Sequence, residues 1–400
     1  MFGDRFNELA VPIIVLAATD SASAFTAGLV TAANRVPALL FALPVGVLVD
    51  RMSRHRLMLL ADYGRAAVLL PLVVALAIGA VPVPLLTAVM FVAGIGDLVF
   101  LTSARAFMVS LVDRSRLVDA NGKLEAGDAI ATLSGPAIGA LVLQVFGAAT
   151  AIAVNAVSFL ALAALLKRIP RQPTPSAARP DRPDRAEELL AGMRAIWRIP
   201  EQRAIQGVLM LLNLLAGGIV LLVIALTRDV LALSALETGL VLGGAGAGGL
   251  LSSLLIAPRI ERRCWGSALA VLFAITALGM AGLALARGTV SAFAANAVLD
   301  GAFALAFVVA GATRQALTPD ALLGRVGAAS FLLTTAAATL GAVLAGALID
   351  GIGHRETLVA TGVLFVIAGA GLWRLPLARV PLRDLAPIDA ARGAGSHVVW

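Results

Sequence analysis

Two carboxylates of this 400-residue chain, Asp97 and Asp300, lie in the middle of long apolar stretches, where an ionisable side chain is costly and usually functional. An apolar environment favours the neutral form of a carboxyl group. Each acid can therefore hold a proton while enclosed and release it when water reaches it. This pattern indicates proton-coupling groups, with a static ion pair as the alternative. Asp62 and Arg65, at an i, i+3 spacing, are instead predicted to form a structural pair.

Further ionisable residues inside apolar stretches are candidates for the same chemistry. Asp4 and Glu8 share one helix face at an i, i+4 spacing, and Asp128 lies further along the chain. Arg35 is a candidate cation partner for one of these acids. For each of them the alternative is again a structural ion pair.

The elements that must position these residues are apolar runs of about 20 residues, the length at which an α-helix crosses a bilayer. Hydrophobic residues make up 60% of the chain, charged residues 14%, and the mean hydropathy is +0.95. This composition excludes a soluble globular protein. Because backbone groups in lipid must be satisfied within the segment, we predict an all-α polytopic membrane protein with 12 transmembrane helices. The predicted spans are residues 5–19, 24–49, 57–79, 82–107, 122–146, 148–166, 205–227, 235–258, 266–286, 289–315, 325–350 and 355–375.

Positive charge predicts the orientation of these spans. Most of the 31 Lys and Arg residues lie in every second loop or in the tail, as in the loop after span 2 with Arg51, Arg54 and Arg56. Cytoplasmic loops carry such an excess, so both termini are predicted to be cytoplasmic in a cell-membrane protein. Span 1 offers only Leu9 to Ala18 as a clean apolar run. Either this first helix is truncated by a late start of the chain, or it is polar for a functional reason.

One long polar interruption divides the spans into two sets of six. Five prolines between residues 170 and 183 predict an extended linker. Apolar residues at helical spacing from Leu189 to Trp197 then predict an amphipathic helix, either lying on the cytoplasmic membrane surface or acting as a tether. The predicted domains are a six-helix bundle over residues 1–168, a linker over 169–203, a second six-helix bundle over 204–376 and a cytoplasmic tail over 377–400.

The loop after span 2 reads Gly-Val-Leu-Val-Asp-Arg-Met-Ser-Arg over residues 46–54. Its glycine permits close helix contact, and its acid places a carboxylate at the membrane face beside several arginines. This order resembles the loop signature of the major facilitator superfamily, which implies a cytoplasmic latch that holds one conformation closed. An ordinary basic loop is the alternative. The implied latch residues are Gly46, Asp50, Arg51, Arg54 and, from span 4, Arg105. The second half has Pro258 where the acid would stand, so we expect the first loop to be the functional one.

Span 5 contains the motif Gly135-Pro136-Ala137-Ile138-Gly139. Proline kinks a helix and glycine permits close helix contact. The motif resembles the core of the antiporter signature in the drug-exporting branch of the superfamily. Shorter matches are Gly3-Asp4-Arg5, Arg35-Val36-Pro37, Ala120-Asn121, Arg314-Gln315, Pro319-Asp320 and Gly324-Arg325-Val326. Together they are similar to the group that contains the enterobactin exporter and macrolide-efflux-like proteins, over nearly the whole chain.

The resemblance implies two pseudo-symmetric six-helix bundles that form a secondary active transporter. It implies export of small amphipathic or lipophilic compounds, of drug or siderophore type, by alternating access and proton antiport. An importer of the same fold, a membrane-embedded enzyme and a non-transporting membrane scaffold are the alternatives. An intramembrane enzyme should cluster His, Ser and Asp at one depth, and the sequence shows no such cluster.

Several partners are not expected. A single cysteine, Cys264, and three histidines at span ends or in the tail offer no metal centre. No Gly-x4-Gly-Lys-Ser/Thr run is present, which argues against direct use of ATP. The net charge of +7 is explained by cytoplasmic loops and needs no nucleic acid. The expected partners are a small-molecule substrate, protons and the lipid bilayer, without a cofactor.

Overall fold

The computed structural model describes residues 11–15, 23–111, 117–169, 185–256, 260, 263–319, 322–372 and 380–381. The side chains of some helical residues within these ranges, Asp50 and Asp128 among them, lie outside the description.

The described chain consists of helices, short loops and one isolated bridge between Cys264 and Pro381. Residues 11–15 belong to helix α1. The other helices are α2 Ala24–Arg51, α3 Arg54–Ala77, α4 Val83–Leu111, α5 Leu117–Leu166, α6 Arg185–Arg198, α7 Pro200–Ala225, α8 Ala235–Leu255, α9 Trp265–Ala284, α10 Thr289–Leu317, α11 Leu323–Ile352 and α12 His354–Leu372. A short π-helix, Leu226–Val230, continues α7. Within the described residues, ten helices are long and apolar enough to cross a membrane.

Helix α5 contains two of the predicted spans. Gly147 interrupts it with φ 79° and ψ 171°, a backbone conformation that favours glycine. The break separates residues 117–146 from residues 148–166, which correspond to spans 5 and 6. Helix α6 is the linker helix. Each of the other helices, α1 to α4 and α7 to α12, corresponds to the predicted span of the same number. The predicted all-α polytopic membrane fold is confirmed.

The packing of the helices repeats after six spans. In the first half α2 and α3 both pack on α4, and in the second half α8 and α9 both pack on α10. The two halves meet where α2 packs on α11 and where α5 packs on α8. A shift of six spans relates α2 to α8 and span 5 to α11, so these two contacts are equivalent. The fold is therefore two pseudo-symmetric six-helix bundles, as predicted.

Helix α6 lies against the second half. Its apolar face forms a buried cluster with α11 that comprises Leu189, Met193, Ile196, Val326 and Ala329. Gly192 brings the helix onto the backbone of Arg325, since an added Cβ would overlap that carbonyl group. We expected α6 to lie on the membrane surface or to act only as a tether. Its apolar face is instead covered by α11. Trp197 stays exposed on the other side.

The two ends of the bundle differ in charge and are named accordingly. At the Arg-rich end, α2 finishes at Arg51 and α3 begins at Arg54. At the opposite end, α2 begins at Ala24 and α11 finishes at Ile352.

Candidate functional site

A buried ion cluster lies inside the first half, where α3 faces α4. The Arg65 side chain is 3% exposed, and its Nη1 donates to Asp97 Oδ1 at 2.8 Å. Its Nη2 donates to Asp62, one turn earlier on the same helix, and the Asp62 side chain is fully buried. The predicted Asp62–Arg65 pair is present, and it extends to the mid-span acid of α4.

Aromatic rings and one glycine shape the space around this arginine. The Arg65 guanidinium carbon lies 4.2 Å from the Phe159 ring centroid and 4.7 Å from that of Phe100. Such stacking stabilises a desolvated guanidinium. Gly96 lies beside the aliphatic part of Arg65, which any larger side chain at that position would displace. These contacts fix the arginine in place between α4 and α5.

Asp97 is the accessible member of the cluster, with 39% of its side chain exposed. Its second oxygen, Oδ2, accepts a hydrogen bond of 3.1 Å from Asn34 Nδ2 of α2. The same amide nitrogen lies 3.4 Å from the Met90 carbonyl oxygen. Gly94 permits this approach, because a Cβ there would overlap the backbone of Asn34. One carboxylate thus connects α2, α3 and α4.

The other mid-span candidates lie elsewhere. Asp300 is half-buried on α10, the counterpart of α4 in the second half. Arg35 is half-buried on α2, and its Nη1 donates to the Gly217 carbonyl oxygen of α7 at 3.3 Å, across the boundary between the halves. The cation described beside Asp97 is Arg65. The pairing of Arg35 with one of the mid-span acids stays a prediction. Asp4 and Glu8 lie outside the described residues, and so does the side chain of Asp128.

At the Arg-rich end the predicted latch loop is tied to α4 of its own half. Arg54 Nη1 donates to the Ala106 carbonyl oxygen at 2.9 Å, next to the exposed Arg105. Arg51 is also exposed and Gly46 is half-buried, while the side chain of Asp50 lies outside the description. Gly46 and the three arginines of the predicted latch are thus described, and the latch itself stays a prediction.

The Gly-Pro motif of α5 faces the other half. Gly135 and Gly139 are buried. A Cβ on Gly239 of α8 would lie 2.7 Å from the Pro136 carbonyl oxygen and would overlap Ala140. Proline removes one backbone hydrogen bond from α5 and bends it, and glycine on α8 admits the bent helix. About two helical turns after Pro136 on α5, Gln144 Oε1 accepts a hydrogen bond from the backbone N–H of Leu236 at 2.8 Å.

A clasp of polar contacts, which we call the Asp350 clasp, joins the halves at the opposite end. The Asp350 carboxylate of α11 accepts from the Ser23 hydroxyl at 2.6 Å and from the backbone N–H groups of Ala24 and Phe25, both at 3.0 Å. It therefore caps the first turn of α2, where an acid is stabilised by the helix dipole. Below it, Gly28 lies against the Ala342 backbone, leaving no room for a side chain.

Sequence reasoning missed this clasp, although two signals are visible in retrospect. Ser23 is a typical N-cap residue before an apolar run. Asp350 lies in the last turn of its own helix, where the dipole disfavours an acid, so a partner elsewhere is expected. Neither signal says which helix end the acid meets.

Comparison with known proteins decides the family. A family model described as transmembrane secretion effector matches residues 7–394. This chain belongs to that family, within the major facilitator superfamily. The family resemblance seen in the motifs is thereby confirmed, and the chain is a multi-pass membrane protein of a transporter family.

Individual relatives agree with this assignment. The multidrug efflux pump Tap of Mycobacterium tuberculosis (strain ATCC 25618 / H37Rv) is 28% identical over 419 residues, which cover 98% of this chain and 94% of Tap. Tap of Mycobacterium bovis (strain BCG / Pasteur 1173P2) gives the same values.

Two solved structures show the same fold at low sequence identity. The nucleoside transporter NupG has a TM-score of 0.69 and 12% identity, with 94% of this chain and 99% of that chain covered. A bacterial homologue of the iron transporter ferroportin, in an inward-facing state, has a TM-score of 0.69 and 18% identity, with 94% and 96% covered.

Proposed function

We propose that this protein is a secondary active transporter that exports small amphipathic or lipophilic compounds, of drug or siderophore type, by alternating access in exchange for protons. Similarity to the multidrug efflux pump Tap along nearly the whole chain supports the direction and the cargo class. The observation that carries proton coupling is the partly exposed Asp97 bound to the buried Arg65.

The charge of the cluster explains why a proton would act there. Arg65 is shared by two carboxylates, so its positive charge is divided between them. An ionised carboxylate within a membrane span is costly, and a proton removes its charge. Asp62 is fully buried, whereas 39% of the Asp97 side chain is exposed, so Asp97 is the group that would take the proton. Asp300 is a second coupling candidate in the other half.

Protonation of Asp97 would also change how the helices are held together. The ionised carboxylate accepts from Arg65 of α3 and from Asn34 of α2. A protonated carboxyl group is a weaker acceptor for both donors. Proton uptake would therefore loosen α4 from α2 and α3, which links the proton to a conformational change.

We assign the Arg-rich end to the cytoplasm because of its excess of arginine, which places both termini there. The Asp350 clasp and the α5–α8 contact then belong to the outer face, as expected of an inward-facing conformation. The ferroportin homologue of the same fold is described in an inward-facing state. Opening towards the outside would break the clasp. It would also close the cytoplasmic end, where the latch residues Gly46, Asp50, Arg51, Arg54 and Arg105 act.

The direct test measures the sign of transport. A panel of drugs and siderophores is first screened for compounds that raise the thermal unfolding midpoint of the purified protein, since a ligand that binds the folded state stabilises it. A compound found in this way is then offered to inverted and to right-side-out membrane vesicles with a pH gradient. Accumulation in inverted vesicles that are acidic inside, with loss of that gradient, is the expected result.

The alternatives give different results in the same assay. An importer of the same fold accumulates the compound in right-side-out vesicles. A membrane scaffold gives no flux in either preparation, although the protein is folded and inserted. Transport that persists without a pH gradient and responds to ATP would contradict secondary transport.

A further inference from the structure

A groove runs along the surface of the first half, between α3 and the last part of α5. Its volume is about 300 Å³ and its lining is apolar; it includes Tyr63, Ala67, Leu70, Ala153, Val157 and Leu160. The small side chains of Ala66 and Ala156 are buried beneath it, while Leu70 and Val157 are 58% and 61% exposed at its sides. The groove therefore opens towards the surroundings of the helix bundle, which in a membrane are lipid chains.

The length of the groove matches one leaflet. On α3 its lining extends from Tyr63 to Val73, which at 1.5 Å per residue is about 15 Å. The hydrocarbon core of a bilayer is about 30 Å thick, so one leaflet contributes about 15 Å. One acyl chain can lie along the groove from its Tyr63 end inwards.

Basic side chains surround the Tyr63 end of the groove. Lys167 Nζ lies 5.3 Å from the Tyr63 ring centroid, so its ammonium group is held at the mouth. Arg168 and Arg56 are exposed at the same end of the two helices. A hydrogen bond of 2.8 Å between His55 Nε2 and the Leu166 carbonyl oxygen keeps these helix ends together.

The acid on this part of α3 does not offset that charge. Asp62 is fully buried and bound to Arg65, on the inner side of the helix. Among the described residues, the mouth is therefore basic and the body of the groove is apolar. This combination is complementary to an anionic amphiphile with a single chain entering the groove.

We propose that the groove binds one anionic phospholipid. An acyl chain lies between α3 and α5, the phosphate is bound by Lys167 with help from Arg168 and Arg56, and the Tyr63 phenol lies at the boundary between chain and headgroup. The site borders the ion cluster, since Ala66 follows Arg65 in the chain and Phe159 supports the Arg65 guanidinium from α5. The bound lipid would thus stabilise the packing of α3 against α5 around the cluster. This inference requires only that the protein be embedded in a membrane, and is independent of the transport proposal.

Native mass spectrometry of the purified protein in detergent tests the site with phosphatidylglycerol as the anionic probe and phosphatidylcholine of the same chains as the neutral one. We expect the first phosphatidylglycerol to bind more tightly than phosphatidylcholine. K167Q should weaken this first binding step about fivefold, as expected for one basic residue at a lipid headgroup. R263Q, which removes another exposed arginine at the Arg-rich end but in the second half, is the matched control and should change nothing.

A second pair of variants tests the chain-binding part. V157W fills the groove from a residue that is already exposed, and should abolish the preference for phosphatidylglycerol together with the rise in melting temperature that this lipid causes. V154W places the same bulk one turn away, at a residue 45% exposed and outside the lining, and should keep both. Equal binding of the two lipids, or K167Q and V157W that behave like their controls, would overturn the proposal. Competition by glycerol phosphate alone would also overturn it, because that result would mean that the groove is not needed.

Discussion

Arg65 binds Asp97 across α3 and α4 with a hydrogen bond of 2.8 Å, although the arginine side chain is 3% exposed and the acid is 39% exposed. The contact therefore lies at the border between the buried interior of the first half and its exposed surface. A change of protonation on the accessible partner alters the charge balance of the buried one. In the proposed mechanism, this pair is the point at which a proton would act on helix packing.

Removing the arginine should destabilise the protein strongly. R65Q removes the guanidinium bound to the fully buried Asp62, and breaking a buried ion pair from one side costs about 3–5 kcal/mol. R65K keeps the charge but loses the two-armed contact and the stacking on Phe159, so it should lie between R65Q and wild type. The readout is the thermal unfolding midpoint in detergent.

Two comparisons separate this effect from a general loss of charge. R203Q removes an exposed arginine and should leave the midpoint unchanged. The double variant R65Q/D62N should regain part of the loss, because it also removes the buried negative charge of Asp62. A midpoint for R65Q equal to that of R203Q would show that the cluster is not a buried ion pair.

The Asp350 clasp should control how often the opposite end opens. D350A removes three hydrogen bonds from the start of α2, whose backbone N–H groups then lose their cap, a change that typically costs about 1 kcal/mol. We expect a larger population of the open form, measured as longer distances between spin labels on Cys introduced at Ala80 and Arg287, exposed loop residues of the two halves at this end. The background carries C264S, so that the single native cysteine takes up no label.

D229N is the matched control for the clasp. Asp229 is also exposed at the opposite end, but its described contact is to His354 of its own half, at 3.1 Å. The distance distribution should therefore stay as in wild type. If D350A and D229N gave the same distribution, the clasp would have no part in closing this end.

The close α5–α8 contact gives a steric prediction. G239L introduces a side chain that collides with the Pro136 carbonyl oxygen and Ala140, an overpacking that costs about 1–3 kcal/mol in this conformation. The halves can then no longer close together at the opposite end, and transport should fall about tenfold or more. G249L lies on the same helix in open space and should transport almost normally. Equal rates for the two variants would remove this contact from the transport cycle.

Asp50 provides the test of the latch at the Arg-rich end. D50A should impair transport while expression and membrane insertion stay at wild-type levels, because the proposed latch acts between conformations and not in folding. The assays are vesicle flux and the amount of folded protein in the membrane. R263Q changes an exposed charge at the same end but in the second half, and serves as the control. Unchanged flux in D50A would mean that the segment is an ordinary basic cytoplasmic loop and not a latch.

The fold was accessible from the sequence because its signals are local. Apolar run length and charge alternation predicted the spans and the division into halves, and the fold itself is confirmed. The break at Gly147 lies between predicted spans 5 and 6. What could not be predicted was where the apolar face of α6 docks, since Leu189 and Ile196 would suit a membrane surface as well as α11.

Within the candidate site, spacing along one helix was informative and contact between helices was not. Asp62 and Arg65 lie one turn apart on α3, and their pairing follows from that spacing. The extension to Asp97 and Asn34 depends on how close α2, α3 and α4 approach each other. Gly94 and Gly96 permit this approach, but their presence in the sequence does not predict it. The pairing of Asp350 with the start of α2 is also a contact between helices, and the sequence did not predict it for the same reason.

The most direct test of proton-coupled export is the flux of protons driven by substrate. Purified wild-type protein and D97N are reconstituted into liposomes that contain a pH-sensitive dye, and a substrate gradient is applied without a pH gradient. We expect substrate-dependent proton movement for wild type and none for D97N, while D97N still binds the compound in the thermal-shift assay. Proton movement by D97N at the wild-type rate would contradict the role of Asp97 in coupling.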